Sequence, residues 1–177
     1  MVLPWLRRLV SRLGGAGELP GDFRGELAGG EYVLAVARAE TGPLVATNLG
    51  LWLPEGRRVD WHLISKATWQ NGVLAVVEAE ERPVAEAVVL LQDRPVQRFR
   101  LTTPRRLPDV VHKRVTGSVR SRHHRELPGG GVWVVQRKLA GRSGVVLQGR
   151  PDPGTDEEAV LVLLREIAER LPHAPGE

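Results

Sequence analysis

The sequence predicts an α+β protein: an antiparallel β-barrel capped by a helix, with a C-terminal β-hairpin and helix as an extension. Residues 31–104 consist of short runs rich in Val, Leu and aromatic residues, separated by turn signals such as "ETG", "PEG" and "QDRP". No long helical pattern interrupts this series, so consecutive strands are expected to pair as an antiparallel meander. About seven such strands favour closure into a barrel or sandwich, which removes exposed sheet edges.

Composition sets the outer limits of this prediction. The chain has 177 residues, of which 42% are hydrophobic and 26% charged, values that are ordinary for one globular domain with a proper core. It contains no cysteine, which excludes a disulfide framework, a thiolate nucleophile and a Cys-ligated zinc site. A reducing cytoplasm is the compartment we expect.

Residues 1–28 are predicted to form an amphipathic helix followed by a linker. The apolar run is too short to span a bilayer, and arginines interrupt it. A basic amphipathic helix with a tryptophan can lie on a membrane surface, or it can pack on its own domain or on a second copy of the chain. The candidate membrane contacts are Trp5, Arg7, Arg8 and Arg12.

The barrel elements are predicted for residues 29–117. The strongest turn signal is "WQNGVL", because Asn71-Gly72 between apolar runs favours a type I′ hairpin. Apolar residues then recur at helical spacing from Leu107 to Val115, and Gly117 is expected to end this helix.

Residues 118–177 are predicted to form the extension. A strand, "SVRSRHHREL", leads through a glycine-rich turn into the hairpin "VWVVQRKL" and "GVVLQGRPD". A final helix begins with a capping box made by Thr155 and Glu158. Its predicted buried stripe is Val160, Leu164, Ile167 and Leu171.

Charge is distributed unevenly along the chain. Residues 105–150 hold 11 basic and 2 acidic side chains, a net of +9, while residues 151–177 hold 2 basic and 7 acidic ones, a net of −5. The basic block could neutralise several phosphates, although no recognised nucleic-acid-binding motif accompanies it. The alternative reading is a solvated edge strand whose charges prevent aggregation.

The segment "GPLVATNLGLWLPEGRRVDWHLISKATW" resembles the early strands of bacterial pleckstrin-homology-like and GRAM-like domains. A strand ending in Thr47, a tight turn at Asn48, and a second strand opening with Leu51 and Trp52 carry the resemblance, which covers residues 30–117. It implies a seven-stranded bent barrel plugged by a C-terminal helix, and a binding role toward lipid headgroups, peptides or proteins. The usual headgroup loop would be "RAETGP", in which Arg38 is the only basic residue.

Reactive side chains do not assemble into a recognisable catalytic pattern. The serines lack a nucleophile-elbow context, and the glycine clusters lack a Walker lysine. Adjacent strand residues such as His123 and His124 point to opposite faces, so they are not expected to share an ion; a site formed with His112 is the alternative. No metal and no cofactor are predicted, and His62 is expected at the surface. The tryptophans within strand runs are expected in the core: Trp52, Trp61, Trp69 and Trp133.

The sequence therefore predicts a non-enzymatic binding or scaffold module of the cytoplasm, with peripheral membrane contact through its first residues. The expected partner is a protein or an anionic lipid surface, and homodimerisation is a further expectation. A nucleic-acid-associated protein using residues 105–150 is the alternative, and an enzyme with an unrecognised site is a third. The candidate binding surface consists of Arg120, Arg122, His124, Arg57 and Arg58.

Overall fold

The computed structural model describes residues 17–171, which form two compact units. The first unit holds described residues 17–78, 95–118 and 140–142, and the second holds 79–94, 119–139 and 143–171. The strands are β1 (Val33–Ala39), β2 (Gly42–Thr47), β3 (Gly50–Trp52), β4 (Arg58–Asp60), β5 (Ile64–Gln70), β6 (Val73–Ala85), β7 (Val88–Asp93), β8 (Gln97–Thr103), β9 (Val119–Leu127), β10 (Gly130–Lys138) and β11 (Val145–Pro151). The helices are α1 (Leu107–Gly117) and α2 (Glu157–Arg170).

The first unit is an antiparallel sheet in the order β4–β3–β2–β1–β8–β6–β5. Alternate residues of β1 point inward, which matches the alternating burial of that strand. α1 follows β8 and packs its apolar stripe, Leu107, Val111 and Val115, into the same core as the strands. The hairpin predicted at Asn71-Gly72 is confirmed: both residues have positive φ, 51° and 76°.

The second unit is a sheet in the order β6–β7–β11–β10–β9, to which β6 contributes its residues from Ala79 onward. Pairing is antiparallel except between β7 and β11, where Leu147 lies opposite Val88 in a parallel ladder. α2 covers one face of this sheet. Its predicted stripe is confirmed, because Val160 and Leu164 are buried and Ile167 and Leu171 pack around them.

Two local predictions are wrong. Consecutive strands do not all pair, since β8 pairs with β1 and β6 and is not paired with β7. The capping box is also absent: Asp156 is the N-cap of α2 without a side-chain cap bond. The Thr155 hydroxyl instead donates to the carbonyl oxygen of Gly131 at 2.8 Å and accepts from the Gly131 N–H at 3.0 Å. These bonds connect the residue before α2 to β10.

Candidate functional site

An exposed tryptophan and three basic side chains lie on the paired strands β9 and β10 of the second unit. We call this group the Trp133 patch: Arg120, Arg122, His124 and Trp133. Cross-strand pairing places Trp133 of β10 opposite His124 of β9, and Val135 opposite Arg122. Opposed residues, and residues two apart on a strand, share a face, so Arg122, His124 and Trp133 stand on the side of the sheet away from α2. Arg120 lies on β9 at a shift in the pairing register with β10. The neighbours Val132 and Val134 point to the α2 side.

The patch has defined ring geometry. The His124 and Trp133 rings lie 4.9 Å apart between centroids at an interplanar angle of 55°. The guanidinium carbon of Arg122 is 5.7 Å from the Trp133 centroid, within cation–π range. His124 Nε2 lies 2.7 Å from Asp152 Oδ2, which orients the imidazole. Trp133 still keeps 38% of its surface exposed, so an aromatic surface remains accessible beside the cations.

The Trp133 patch holds two guanidinium groups, and one carboxylate, that of Asp152, contacts its histidine. Within residues 17–171, no carboxylate forms an ion pair with Arg120 or Arg122. Arg150, which lies opposite Trp133 on β11, is neutralised by Asp93 at 2.6 Å. Arg137 lies further along β10 on the Trp133 side; burial, and to a lesser extent the charge of Arg150, lower its pKa below the usual value for an arginine.

One glycine makes room for this arrangement. A Cβ at Gly131 would lie 2.5 Å from Cε1 of His124 and 2.7 Å from the carbonyl oxygen of Arg125. Any other residue at this position would therefore displace the imidazole. Neither this role of Gly131 nor the contact of Asp152 with His124 was predicted from the sequence. Both depend on the register in which β9, β10 and β11 pair.

Arg57 and Arg58 lie in the first unit, where carboxylates hold them. Arg57 forms a two-pronged ion pair with Glu78, at 2.7 and 2.9 Å. Arg58 binds Glu31 at 2.8 Å and Asp60 at 3.0 Å. These bonds account for both guanidinium groups, and they indicate a structural role.

Glu31 is the centre of a buried polar network in the same unit. Its carboxylate has no accessible surface and accepts bonds from Thr47 Oγ1 at 2.6 Å, Trp52 Nε1 at 2.8 Å, the Ala28 N–H at 2.9 Å and Arg58 at 2.8 Å. Burial by itself would raise the pKa of Glu31, but these bonds and the charge of Arg58 outweigh it, so the pKa is lowered. The carboxylate is thus ionised and saturated with donors, as in a structural anchor.

The tryptophan and histidine predictions are confirmed only in part. Trp52 and Trp61 are buried as expected, but Trp69 and Trp133 are exposed, at 41% and 38%. The strand phase explains Trp133, since both of its neighbours face the core. His62 is buried, contrary to the prediction, because it lies in a short 3₁₀ turn, Trp61–Leu63, and not on a strand.

The clefts of the first unit include one beside β1 and one beside β5. One of about 740 Å³ lies beside β1 and is lined on its polar side by Arg38, Arg105, Arg106 and Glu18. The other, of about 470 Å³, runs between β5 and α1 and is lined by Trp69 and His112 among others. Neither cleft was predicted from the sequence, because each is formed by segments that are distant in the chain.

Other expectations concern metals and membranes. No group of three or more His, Asp or Glu side chains suited to a metal ion is found within the described part of the chain. No helix between residues 17 and 171 has the length and apolar character needed to cross a bilayer. The predicted membrane contacts, Trp5, Arg7, Arg8 and Arg12, lie outside the described residues.

Comparison with known proteins yields no relative. Neither the protein-family models, nor the curated proteins, nor the solved structures contain a match to this chain. A functional assignment therefore depends on the geometry described above.

Proposed function

We propose that the chain is a non-enzymatic binding module of pleckstrin-homology-like type that contacts an anionic partner through the Trp133 patch. The observation that carries this proposal is the exposed indole of Trp133 in contact with both Arg122 and His124. The patch stands on paired strands, so its side chains are pre-positioned, which reduces the entropy lost on binding.

The fold of the first unit supports the pleckstrin-homology-like part of the proposal. Seven antiparallel strands follow one another in a single pairing order, and the helix after β8 packs into their core. The resemblance implies this combination of seven strands and a C-terminal plugging helix. The loop that usually binds headgroups in such domains is poor in basic residues in this chain, and Arg38 of that loop is bound to Asp22 at 2.8 Å. The Trp133 patch is the more basic surface.

An anionic lipid surface is the partner that we test first. Vesicles that contain phosphatidylglycerol should retain the wild-type protein at low salt and release it as salt screens the charges. Trp133→Ala and the double variant R120E/R122E should lose this retention. The matched control is R165E/R170E, which reverses two exposed charges on α2, on the other side of the same sheet. Equal retention of all variants would overturn the proposal.

Single-stranded nucleic acid is a second candidate, favoured by one observation. The contact of Arg122 with the Trp133 ring interleaves a cation with an aromatic surface, an arrangement typical of base-stacking sites. A labelled oligonucleotide should then shift at about 50 mM salt and lose affinity steeply by 200 mM. A shift that needs Trp133, without vesicle retention, would assign the patch to nucleic acid. No shift at low salt would exclude this candidate.

The N-terminal prediction needs its own variant. Deleting residues 1–13 removes Trp5 and the three arginines around it while leaving the patch intact. If this deletion abolishes vesicle retention and W133A does not, the membrane contact belongs to the N-terminal segment and the patch proposal for lipid is wrong.

A further inference from the structure

The sheet of the first unit has a gap on one side of β1. This strand pairs with β2 from Val33 to Ala39, but it pairs with β8 only at Arg38 and Ala39. β8 ends at Thr103, and the chain then turns away into α1. The cleft of about 740 Å³ occupies this gap, and its volume is typical of small-molecule sites.

Three arginines line the gap, and we call it the arginine cleft: Arg38, Arg105 and Arg106. Arg106 Nη2 donates to the carbonyl oxygen of Leu34 at 2.8 Å, so its guanidinium group reaches the open edge of β1. Arg106 and Arg105 are both exposed, and within residues 17–171 neither forms an ion pair with a carboxylate.

The charge balance of the arginine cleft favours an anion. Among the described residues that line the cleft, Glu18 is the one carboxylate. Asp22 compensates Arg38, and this pair lowers the pKa of Asp22 and raises that of Arg38. The three arginines therefore face two acids, which leaves a net positive charge on guanidinium groups. A guanidinium group presents a planar fork of N–H donors that matches the oxygens of a phosphate.

The backbone at the mouth of the cleft is strained. Arg105 has φ +47°, a left-handed conformation that non-glycine residues rarely adopt. Such strain occurs preferentially at ligand-binding positions, where the surrounding structure maintains it. Glycine would fit this position without strain, but only arginine supplies a charge there.

We propose that the arginine cleft binds a phosphate monoester group, carried either by a soluble metabolite or by a lipid headgroup. Arg105 and Arg106 supply uncompensated donors to the phosphate oxygens. Arg38 can exchange Asp22 for the ligand, because both of these side chains are about half exposed. The proposal is independent of the Trp133 patch, whose residues all belong to the second unit.

Titration calorimetry of the full chain with inorganic pyrophosphate tests the proposal. Arg105→Gly is the informative variant, because it removes the guanidinium group and relieves the left-handed strain. Since glycine fits this backbone conformation, a loss of binding would reflect the missing guanidinium group and not a loss of stability. We expect R105G and R106Q each to weaken binding by about tenfold or more, as the loss of a charge-assisted contact implies. Arg98→Gln, an exposed arginine on β8 outside the lining, is the matched control and should bind as the wild type does.

Vesicles that contain phosphatidic acid form the second arm of the test. Retention that depends on Arg105 would assign the site to a headgroup, and pyrophosphate binding without retention would assign it to a soluble phosphate ester. The absence of binding in both arms, or an equal loss in R98Q, would overturn the proposal. W133A should leave pyrophosphate binding unchanged, so a failure of the Trp133 patch proposal can be told apart from a failure of this one.

Discussion

Replacement of Glu31 by glutamine should destabilise the first unit severely. The amide keeps one acceptor oxygen but turns an N–H₂ group toward donors, and the site has four of them: Thr47, Trp52, Arg58 and the Ala28 N–H. At least two charge-assisted bonds are lost, and Arg58 loses its buried counter-charge. A loss of this kind costs about 3–5 kcal/mol of unfolding free energy. For a chain of this length, the midpoint temperature should fall on the order of 10 °C.

Urea denaturation followed by tryptophan fluorescence measures this loss, because Trp52 and Trp61 are buried in the first unit. Glu55→Gln is the control, since Glu55 is exposed and 3.7 Å from Arg57. We expect it to change stability by no more than about 0.5 kcal/mol. If E31Q is no more destabilising than E55Q at pH 7, the assignment of Glu31 as a structural anchor is wrong.

The contribution of Glu31 to the free energy of unfolding should depend on pH, and the direction of this dependence follows from its pKa. The pKa of Glu31 in the folded chain lies below its ordinary value of 4.5, so the unfolded chain binds the proton more readily. The stabilisation is therefore complete above about pH 4.5 and is lost as the pH falls through the lower folded-state pKa. The difference in unfolding free energy between wild type and E31Q should narrow on acidification. A difference that stays constant from pH 7 to pH 3 would contradict this reasoning.

Two packing predictions follow from the core. Gly50→Ala should destabilise the first unit by about 1–3 kcal/mol, because a Cβ there would lie 2.4 Å from the carbonyl oxygen of Val59, whereas Gly29→Ala, with open space around it, should be nearly neutral. Leu164→Ala should cost about 2–5 kcal/mol in the second unit by leaving a cavity under α2, whereas exposed Val162→Ala should cost less than 1 kcal/mol. Urea denaturation measures both pairs, and equal values within either pair would contradict the packing described here.

The elements that could be predicted from sequence are those whose signals are local. The apolar stripes of α1 and α2, and the Asn71-Gly72 turn, depend on residues a few positions apart, and the structure confirms all three. The parallel pairing of Leu147 with Val88 was out of reach, because nothing in either run specifies a distant partner. The predicted capping box is absent for a related reason. The Thr155 hydroxyl donates its hydrogen bond to the carbonyl oxygen of Gly131, which is remote in sequence.

The candidate site was predicted in outline only. The basic strand with Arg120, Arg122 and His124 was identified, but Trp133 was assigned to the core. Because Trp133 lies between the apolar residues Val132 and Val134 on β10, strand alternation could have placed it on the face away from the core. The arginine cleft could not have been predicted, since it depends on where β8 ends relative to β1.

Direct observation of the Trp133 indole during binding tests the central claim. In a two-dimensional ¹H–¹⁵N NMR titration with the anionic partner that passes the binding assays, the Trp133 Nε1–H resonance and the amides of β9 should move together and saturate. The indole resonances of buried Trp52 and Trp61 should stay in place. Binding that shifts other resonances and leaves the Trp133 indole unmoved would show that the patch is not the contact surface.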